Sequence, residues 1–274
     1  IFLFLSAYGL YVQNERKKNY LNNFLTQRLA RVVIPALFVS GIYIVYFVFN
    51  KQTLPISYFI NLFVKGATII ANGWFVDVII LLYMFFYISF KVFSNKGSAI
   101  FCNTIFVIIY IILAIILKYD FWWYNSTLPF VVGLVWGKYK ANIDDLLNNN
   151  YFMLLMILTG LLFISHHYDF LLRRMDLVNK YSLALVANVD NVIFTIFFIL
   201  IVRKIDFSNK YLLFLGKISF ELYMIHGLVI SIVGKYFFTS RLNDVIFSIL
   251  VLIISIILAW LVNLIINKIS IKTT

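Results

Sequence analysis

The sequence predicts an all-α protein, a polytopic transmembrane helical bundle with about nine helices visible in the chain. Hydrophobic residues make up 63% of its 274 residues and charged residues only 12%, and the mean hydropathy is +0.96. A soluble domain of this length could not hide so much apolar surface, because its exterior must be largely polar. The alternation of polar and apolar residues that marks a transmembrane β-barrel does not occur in the sequence.

Apolar runs that approach the roughly 20 residues needed to cross a bilayer predict the individual helices. The run 126–138 is short, and the aromatic cluster 121–124 before it suits a membrane–water interface. The stretch 56–70 is weaker because it contains Lys65, and we interpret it as interfacial or re-entrant. We expect residues 1–274 to form one integral membrane domain. In chain order, the predicted helices are 1–12, 32–49, 74–90, 100–118, 126–138, 151–166, 184–202, 213–233 and 245–266.

Basic residues are concentrated in alternate connections between these runs. One set of connections holds 15 of the 23 Lys and Arg residues and the other set holds 8. The positive-inside rule places the richer set in the cytosol, so loop 13–31 and the C-terminus are predicted to be cytosolic. Frequent Lys, Asn and Ile indicate an AT-rich coding sequence, and we expect a bacterial cytoplasmic membrane. The net charge of +12 is spread between apolar runs, which disfavours nucleic-acid binding and leaves membrane lipids as partners.

Two arginines beside the membrane form the first candidate site. Arg28 and Arg31 are three residues apart, so on an α-helix they would share a face. Guanidinium groups offer planar, bidentate donors to phosphate oxygens, and Arg16 lies in the same loop. The alternative is a basic anchor that obeys the positive-inside rule or attracts anionic headgroups.

The second candidate lies within residues 216–226. Ser219, Tyr223 and His226 are spaced to share one helical face, and an ionisable residue at membrane depth is a functional candidate. The alternative for His226 is a neutral imidazole that is hydrogen-bonded across a helix interface. Glu221 points away from that face, and we expect it to be solvated or paired with a base.

Two further polar segments lie at helix ends that are predicted to face outward. Residues 72–75 include Trp74, which either lines a substrate path or is an ordinary residue of the interfacial aromatic belt. His166 and His167 are adjacent, so their side chains diverge by about 100° on a helix and cannot easily share a metal. We therefore expect interfacial polar residues there, and no metal site.

These motifs, in this order, resemble the acyltransferase 3 family of integral membrane acyltransferases, which modify sugars and other cell-surface acceptors. Ala7 stands where the family usually has Gly, a change that still allows close helix packing. The family usually has ten helices, and its first carries a His that acts in acyl transfer and that no residue here matches. We therefore expect one more helix before Ile1, without which the chain would insert but not turn over substrate. The similar segments are 4–9, Arg28-x-x-Arg31 with Pro35, Trp74-Phe75 with Tyr83, and 215–226.

The resemblance implies an acyl-CoA-dependent O-acyltransferase that O-acetylates a cell-envelope polysaccharide or glycolipid. Acetyl-CoA would be the donor substrate, and no bound cofactor is expected. A transporter or flippase, or an assembly subunit, for an envelope glycan precursor is the alternative. In the family's mechanism Arg28 and Arg31 would hold the phosphates of the donor. From their positions in this sequence, we expect Arg16 to bind the donor as well, His226 and Tyr223 to take part in transfer, and Trp74 and Ser219 to line the substrate path.

Overall fold

The computed structural model describes residues 1–50, 68–174, 179–205, 209–235 and 241–271. Regular structure in these ranges is helical throughout, and the predicted interfacial stretch 56–70 lies outside them except for its last three residues. Short 3₁₀ turns occupy Tyr20–Asn23 and Phe121–Trp123, and a π-helical turn occupies Leu25–Leu29. The α-helices are α1 (Phe2–Arg16), α2 (Ala30–Phe49), α3 (Trp74–Val92), α4 (Lys96–Ile116), α5 (Leu128–Lys138), α6 (Lys140–Arg174), α7 (Lys180–Lys204), α8 (Lys210–Val233) and α9 (Arg241–Ile271).

The predicted membrane fold is confirmed, although the helices differ in length from the apolar runs. Among the described residues, seven helices are long and apolar enough to cross a membrane. The other two are α1, with 15 residues, and α5, with 11. At 1.5 Å per residue α5 is only about 16 Å long. The aromatic cluster before it forms a separate 3₁₀ turn and is not part of this helix.

The helix α6 shows how the sequence sets a boundary. It continues for 35 residues, but the backbone at Asn150 leaves helical geometry, with φ −129° and ψ 27°. The polar residues 140–149 precede this kink and the apolar run predicted to start at 151 follows it. The apolar run therefore predicted where the membrane segment of α6 starts, and the kink at Asn150 separates that segment from the more polar first part of the helix.

The described residues fall into two compact units. The first comprises Ile1–Gln27 and Val78–Asp206, and the second comprises Arg28–Asp77 and Phe207–Thr274. In the first unit α1 and α5 run parallel, because Phe4 and Ala7 lie against Gly133 while Tyr11 lies against Gly137. A Cβ at Gly133 would overlap the Phe4 carbonyl oxygen. This glycine therefore allows α1 to approach closely despite the side chain of Ala7.

The N-terminus of the short helix α5 is capped by a side chain from another helix. Asn188 of α7 is 1% exposed, and its Oδ1 accepts hydrogen bonds from the backbone N–H groups of Thr127 and Leu128, both at 3.0 Å. Its Nδ2 donates to the carbonyl oxygen of Tyr124 at 2.7 Å. One turn further along α7, Asn191 donates to the carbonyl oxygen of Asn125 at 3.0 Å. These amides satisfy backbone groups that a helix start leaves unpaired.

In the same unit, α6 and α7 are antiparallel neighbours. At one end the carboxylate of Asp144 pairs with the guanidinium of Arg203 and with Lys140, whose ammonium lies 2.8 Å away. Further along, the Tyr151 hydroxyl donates to the carbonyl oxygen of Leu200 at 3.2 Å. These contacts fix the register of the two helices.

The second unit contains α2, α8 and α9. The Tyr43 hydroxyl of α2 donates to the carbonyl oxygen of Met224 in α8 at 3.1 Å, and Lys235 beyond the end of α8 donates to Asn50 beyond the end of α2. These two contacts make α2 and α8 parallel. Both helices were predicted to run from the cytosolic side outward, so their relative direction agrees with the sequence analysis.

We expect Asn188→Ala to lower the free energy of unfolding by about 1–3 kcal/mol, because buried backbone donors at Thr127 and Leu128 lose their acceptor. Asn188→Asp should be less damaging, because a carboxylate still accepts from both N–H groups. Thermal unfolding of the purified protein, followed by circular dichroism, measures the loss. Asn142→Ala is the matched control, because Asn142 is an exposed asparagine of α6. Equal melting temperatures for Asn188→Ala and Asn142→Ala would contradict the capping role.

Candidate functional site

The two arginines predicted to bind a donor lie where the helix geometry changes. Arg28 belongs to the π-helical turn Leu25–Leu29 and is half-buried, whereas Arg31 is exposed in the first turn of α2. The predicted shared face assumed an α-helix throughout. A π-helical turn is wider than an α-helical turn, so it rotates Arg28 relative to Arg31. Arg16 is exposed at the end of α1, in the first unit.

Pro35 adds a second irregularity beside these arginines. It lies inside α2, and proline has no N–H to donate to the carbonyl oxygen four residues earlier. That oxygen belongs to Arg31. The helix nevertheless continues to Phe49, so the irregular backbone is confined to the end that carries the arginines.

Tyr223 of α8 contacts the turn that precedes α3. The Tyr223 hydroxyl donates to the carbonyl oxygen of Asn72 at 2.7 Å, and its ring packs edge-on against Phe75 at 5.2 Å between centroids. The ring of Phe75 in turn packs at 88° to that of Trp74, with centroids 6.0 Å apart. The structure therefore links Trp74 through Phe75 to Tyr223, whose ring lies 5.8 Å from that of His226 between centroids.

The hydrogen bond of His226 assigns its tautomer. Its Nδ1 lies 2.6 Å from the carbonyl oxygen of Tyr223, and because a carbonyl oxygen only accepts, Nδ1 carries the proton. In the neutral form of a ring bonded this way, the lone pair is on Nε2. The ring is half-buried. An Nε2 lone pair can accept a proton from a hydroxyl or bind an acyl group.

The backbone of residues 68–73 is shaped to meet α8. Asn72 has a φ of 60°, in the left-handed region that asparagine tolerates better than most residues. Gly227 of α8 lies opposite, and a Cβ there would come within 2.5 Å of the Cβ of Ala71. Glycine at 227 thus allows the turn to approach close enough for Tyr223 to reach Asn72.

Ser219 is not brought into this arrangement. Its Oγ donates to the carbonyl oxygen of Gly216 at 2.9 Å, within its own helix. Spacing along α8 placed it on the same face as Tyr223 and His226, but its hydroxyl hydrogen bonds locally, as serine side chains in helices often do.

Tyr43 is a residue of this site that sequence analysis missed. Its hydroxyl reaches the carbonyl oxygen of Met224, two residues before His226, and would contact a side chain at Gly227. The available signal was a tyrosine inside the apolar run 32–49, because a buried phenol needs a hydrogen-bond partner. Along α2, Tyr43 lies about 18 Å beyond Arg31. One helix therefore carries an arginine at its start and contacts the histidine-bearing helix further along.

Glu221 does not have the environment expected from the sequence. It is 5% exposed, and its Oε1 accepts a hydrogen bond from Nδ2 of Asn263 in α9 at 3.0 Å. Asn267 donates to Oδ1 of Asn263 at 2.9 Å. The carboxyl group is therefore buried rather than solvated, and among the described residues its hydrogen-bond partner is the neutral amide of Asn263 instead of a base.

His166 and His167 are both exposed, and His166 lies beside Asp190 of α7, with Nδ1 3.6 Å from Oδ2. Sequence analysis did not single out Asp190, although a carboxylate inside the run 184–202 was a visible signal. The described part of the chain contains no cluster of three His, Cys, Asp or Glu side chains that could hold a metal ion.

Comparison with known proteins identifies the family. The model of the acyltransferase 3 family, described as an acyltransferase domain, matches residues 1–264. No curated protein and no solved structure matches the chain. The family match confirms the resemblance drawn from the motifs and covers both units.

We expect Tyr223→Phe to lower the free energy of unfolding by about 1 kcal/mol, because it removes the hydrogen bond to Asn72 and keeps the ring contact with Phe75. Hydrogen exchange of the amides near Asn72 and Gly73 should accelerate at the same time. Tyr211→Phe, at an exposed position of the same helix, is the matched control. Unchanged exchange in Tyr223→Phe would show that this hydroxyl does not hold the turn.

Proposed function

This chain belongs to the acyltransferase 3 family and is a membrane acyltransferase, and on that premise we propose that it transfers an acetyl group from acetyl-CoA to a hydroxyl of a cell-envelope polysaccharide or glycolipid. The proposed site of action is the bacterial cytoplasmic membrane, with loop 13–31 and the C-terminus in the cytosol. The excess of basic residues in that set of connections supports this orientation.

The packing of α2 on α8 is the observation that carries the proposal. Arg28 and Arg31 lie at the start of this helix pair, and His226 lies about 20 Å further along the parallel helices. Acyl-CoA has its phosphates at one end and its acyl group at the end of a long flexible arm. A donor held by guanidinium groups at the cytosolic face could therefore present its thioester deeper in the membrane.

The proposed chemistry uses the Nε2 lone pair of His226. As the acceptor oxygen attacks the thioester carbonyl, Nε2 takes the hydroxyl proton. The carbon–sulfur bond breaks, the ester forms, and the leaving thiolate of CoA takes the proton from Nε2, which restores the neutral imidazole. The Nδ1 hydrogen bond to the Tyr223 carbonyl keeps the imidazole in the tautomer that this step requires. Tyr223 is thus a positioning residue, and Trp74, which packs on Phe75 next to it, lies on the proposed acceptor path.

Mass spectrometry of purified envelope glycans tests the proposal. We expect disruption of the gene to remove ester-linked acetyl groups from otherwise intact glycan, and reintroduction of the gene to restore them. Loss of glycan export instead would support a transporter or flippase, and unchanged esters on every envelope glycan would contradict acyl transfer to this class of acceptor.

Arg28→Lys and Arg31→Lys should each weaken the apparent affinity for acetyl-CoA by about tenfold, because lysine keeps the charge but loses the planar pair of donors. The KM for acetyl-CoA, measured in membranes of cells that express the variant from its native gene, is the readout. Arg203→Lys is the control, because Arg203 belongs to the same cytosolic set of charges but binds Asp144. A wild-type KM in both variants would show that the two arginines do not bind the donor and act only as charges that set the membrane topology.

His226→Gln should lower the rate of acyl transfer by about 100-fold or more while the protein still inserts and unfolds normally, because glutamine hydrogen bonds but cannot take a proton near neutral pH. Ester content of the glycan and thermal unfolding are measured together. His167→Gln, at an exposed histidine, should leave both unchanged. Normal transfer in His226→Gln would contradict a catalytic role and support a purely structural role for this imidazole.

A further inference from the structure

An open apolar groove lies on the first unit where α4 begins. Its volume is about 510 Å³, which is in the range of sites that bind small molecules. From Gly97 to Ile105 the groove follows α4 for about 12 Å along the helix axis, and α4 is apolar enough to cross a membrane. The groove therefore runs from the end of this helix into its apolar length. Its lining residues are Phe93, Gly97, Ser98, Phe101, Cys102 and Ile105.

A lysine lies at the end of the groove where α4 starts. Lys138 is the last residue of α5, and its ammonium is so close to Gly97 that a Cβ there would lie 3.0 Å from it. The ammonium also lies over the ring of Tyr139, 4.8 Å from the centroid. No Asp or Glu in the described part of the chain forms an ion pair with Lys138. Its charge is therefore not neutralised by any carboxylate that the structure describes.

Two nearby lysines in sequence differ from Lys138 in this respect. Lys96 pairs with Glu15, and Lys140 pairs with Asp144. Both of these lysines satisfy carboxylates of the protein itself, whereas the ammonium of Lys138 is available to an external anion.

The groups around the groove match the two parts of a phospholipid. The backbone N–H groups of Gly97 and Ser98 already donate to Oδ1 of Asn95, so the start of α4 is capped. The Ser98 side chain is exposed and lines the groove, and its hydroxyl and the Lys138 ammonium can both donate to phosphate oxygens. The rest of the lining is mostly aromatic and aliphatic, which suits an acyl chain.

We propose that this groove binds an anionic phospholipid, whose phosphate contacts Lys138 and Ser98 and whose acyl chain lies along α4. A lipid reaches the groove sideways through the bilayer, so no access from water is needed. The uncompensated charge of Lys138 favours a headgroup with net negative charge, because a zwitterionic headgroup brings a second cation beside it. Lys138 belongs to the set of basic residues predicted to be cytosolic, and the cytoplasmic leaflet is the anionic one. Lipid binding does not depend on the proposed acyl transfer.

The single cysteine of the chain, Cys102, lines the groove and allows a direct test. A trifluoroethyl group is attached to it through a disulfide, and the purified protein is held in phosphatidylcholine nanodiscs with increasing mole fractions of phosphatidylglycerol. We expect the ¹⁹F signal to shift and to saturate. The same label on Ile112→Cys in a Cys102→Ser background, at an exposed position of α4 beyond the groove, should show no saturable shift.

Lys138→Gln should raise the phosphatidylglycerol fraction at half-saturation by about fivefold, because one lysine near the surface contributes about that factor to the binding of anionic lipid. Lys138→Arg, which keeps the charge, should bind as the wild type does. Lys204→Gln is the matched control, because the ammonium of Lys204 also lies over a tyrosine ring, that of Tyr151 in α6, 4.9 Å from the centroid. An equal rise in Lys204→Gln would indicate general attraction between charges and would overturn the site.

A second measurement needs no label and also serves if Lys138→Gln does not fold. Ser98→Trp, at an exposed position, should block the groove, so native mass spectrometry should no longer detect the phosphatidylglycerol that the wild type retains. Retention in Ser98→Trp, a ¹⁹F shift that never saturates, or the same shift with inorganic phosphate in phosphatidylcholine discs would overturn the site. A shift that follows the number of protein copies per disc would overturn it too, and would assign the groove to a second copy of the chain.

Discussion

Backbone N–H and C=O groups in the apolar interior of a membrane cost several kcal/mol each when they lack a partner. The start of a helix leaves its first N–H groups without a partner, and burial makes this costly for α5. Asn188 supplies the acceptor for two of those groups and returns a donor to the carbonyl oxygen of Tyr124. The cap therefore stabilises the helix against which α1 packs at Gly133.

At the candidate active site, tyrosine hydroxyl groups provide hydrogen-bond partners for backbone carbonyl oxygens. The hydroxyls of Tyr43 and Tyr223 each donate to a backbone carbonyl oxygen, that of Met224 in α8 and that of Asn72 in the turn before α3. Each tyrosine thereby joins two segments that are distant in sequence, and the imidazole of His226 is hydrogen-bonded to the backbone of one of these tyrosines. Fixing the backbone around His226 also fixes its tautomer, so the constraint that stabilises the fold prepares the lone pair that the proposed chemistry requires.

The sequence predicted the positions of most helices well, because the apolar period is a local property. The run 74–90 became Trp74–Val92 and the run 213–233 became Lys210–Val233. The π-helical turn at Arg28 was not predicted. The expected shared face of Arg28 and Arg31 assumed an α-helix throughout. The prediction for Glu221 was wrong, because the amide that satisfies this carboxyl group comes from Asn263, 42 residues away in the chain.

Polar residues in the apolar helices differ in how many of their polar atoms are already hydrogen-bonded within the protein. Asn188 is buried with its oxygen and nitrogen both bonded to backbone groups, so it contributes to the fold and has nothing left for a ligand. His226 instead has Nδ1 bonded within the protein and Nε2 on a partly exposed ring. Sequence alone cannot make this distinction, because both are polar residues in apolar runs. The unfilled capacity distinguishes a group that can bind or react from one that holds the helices together.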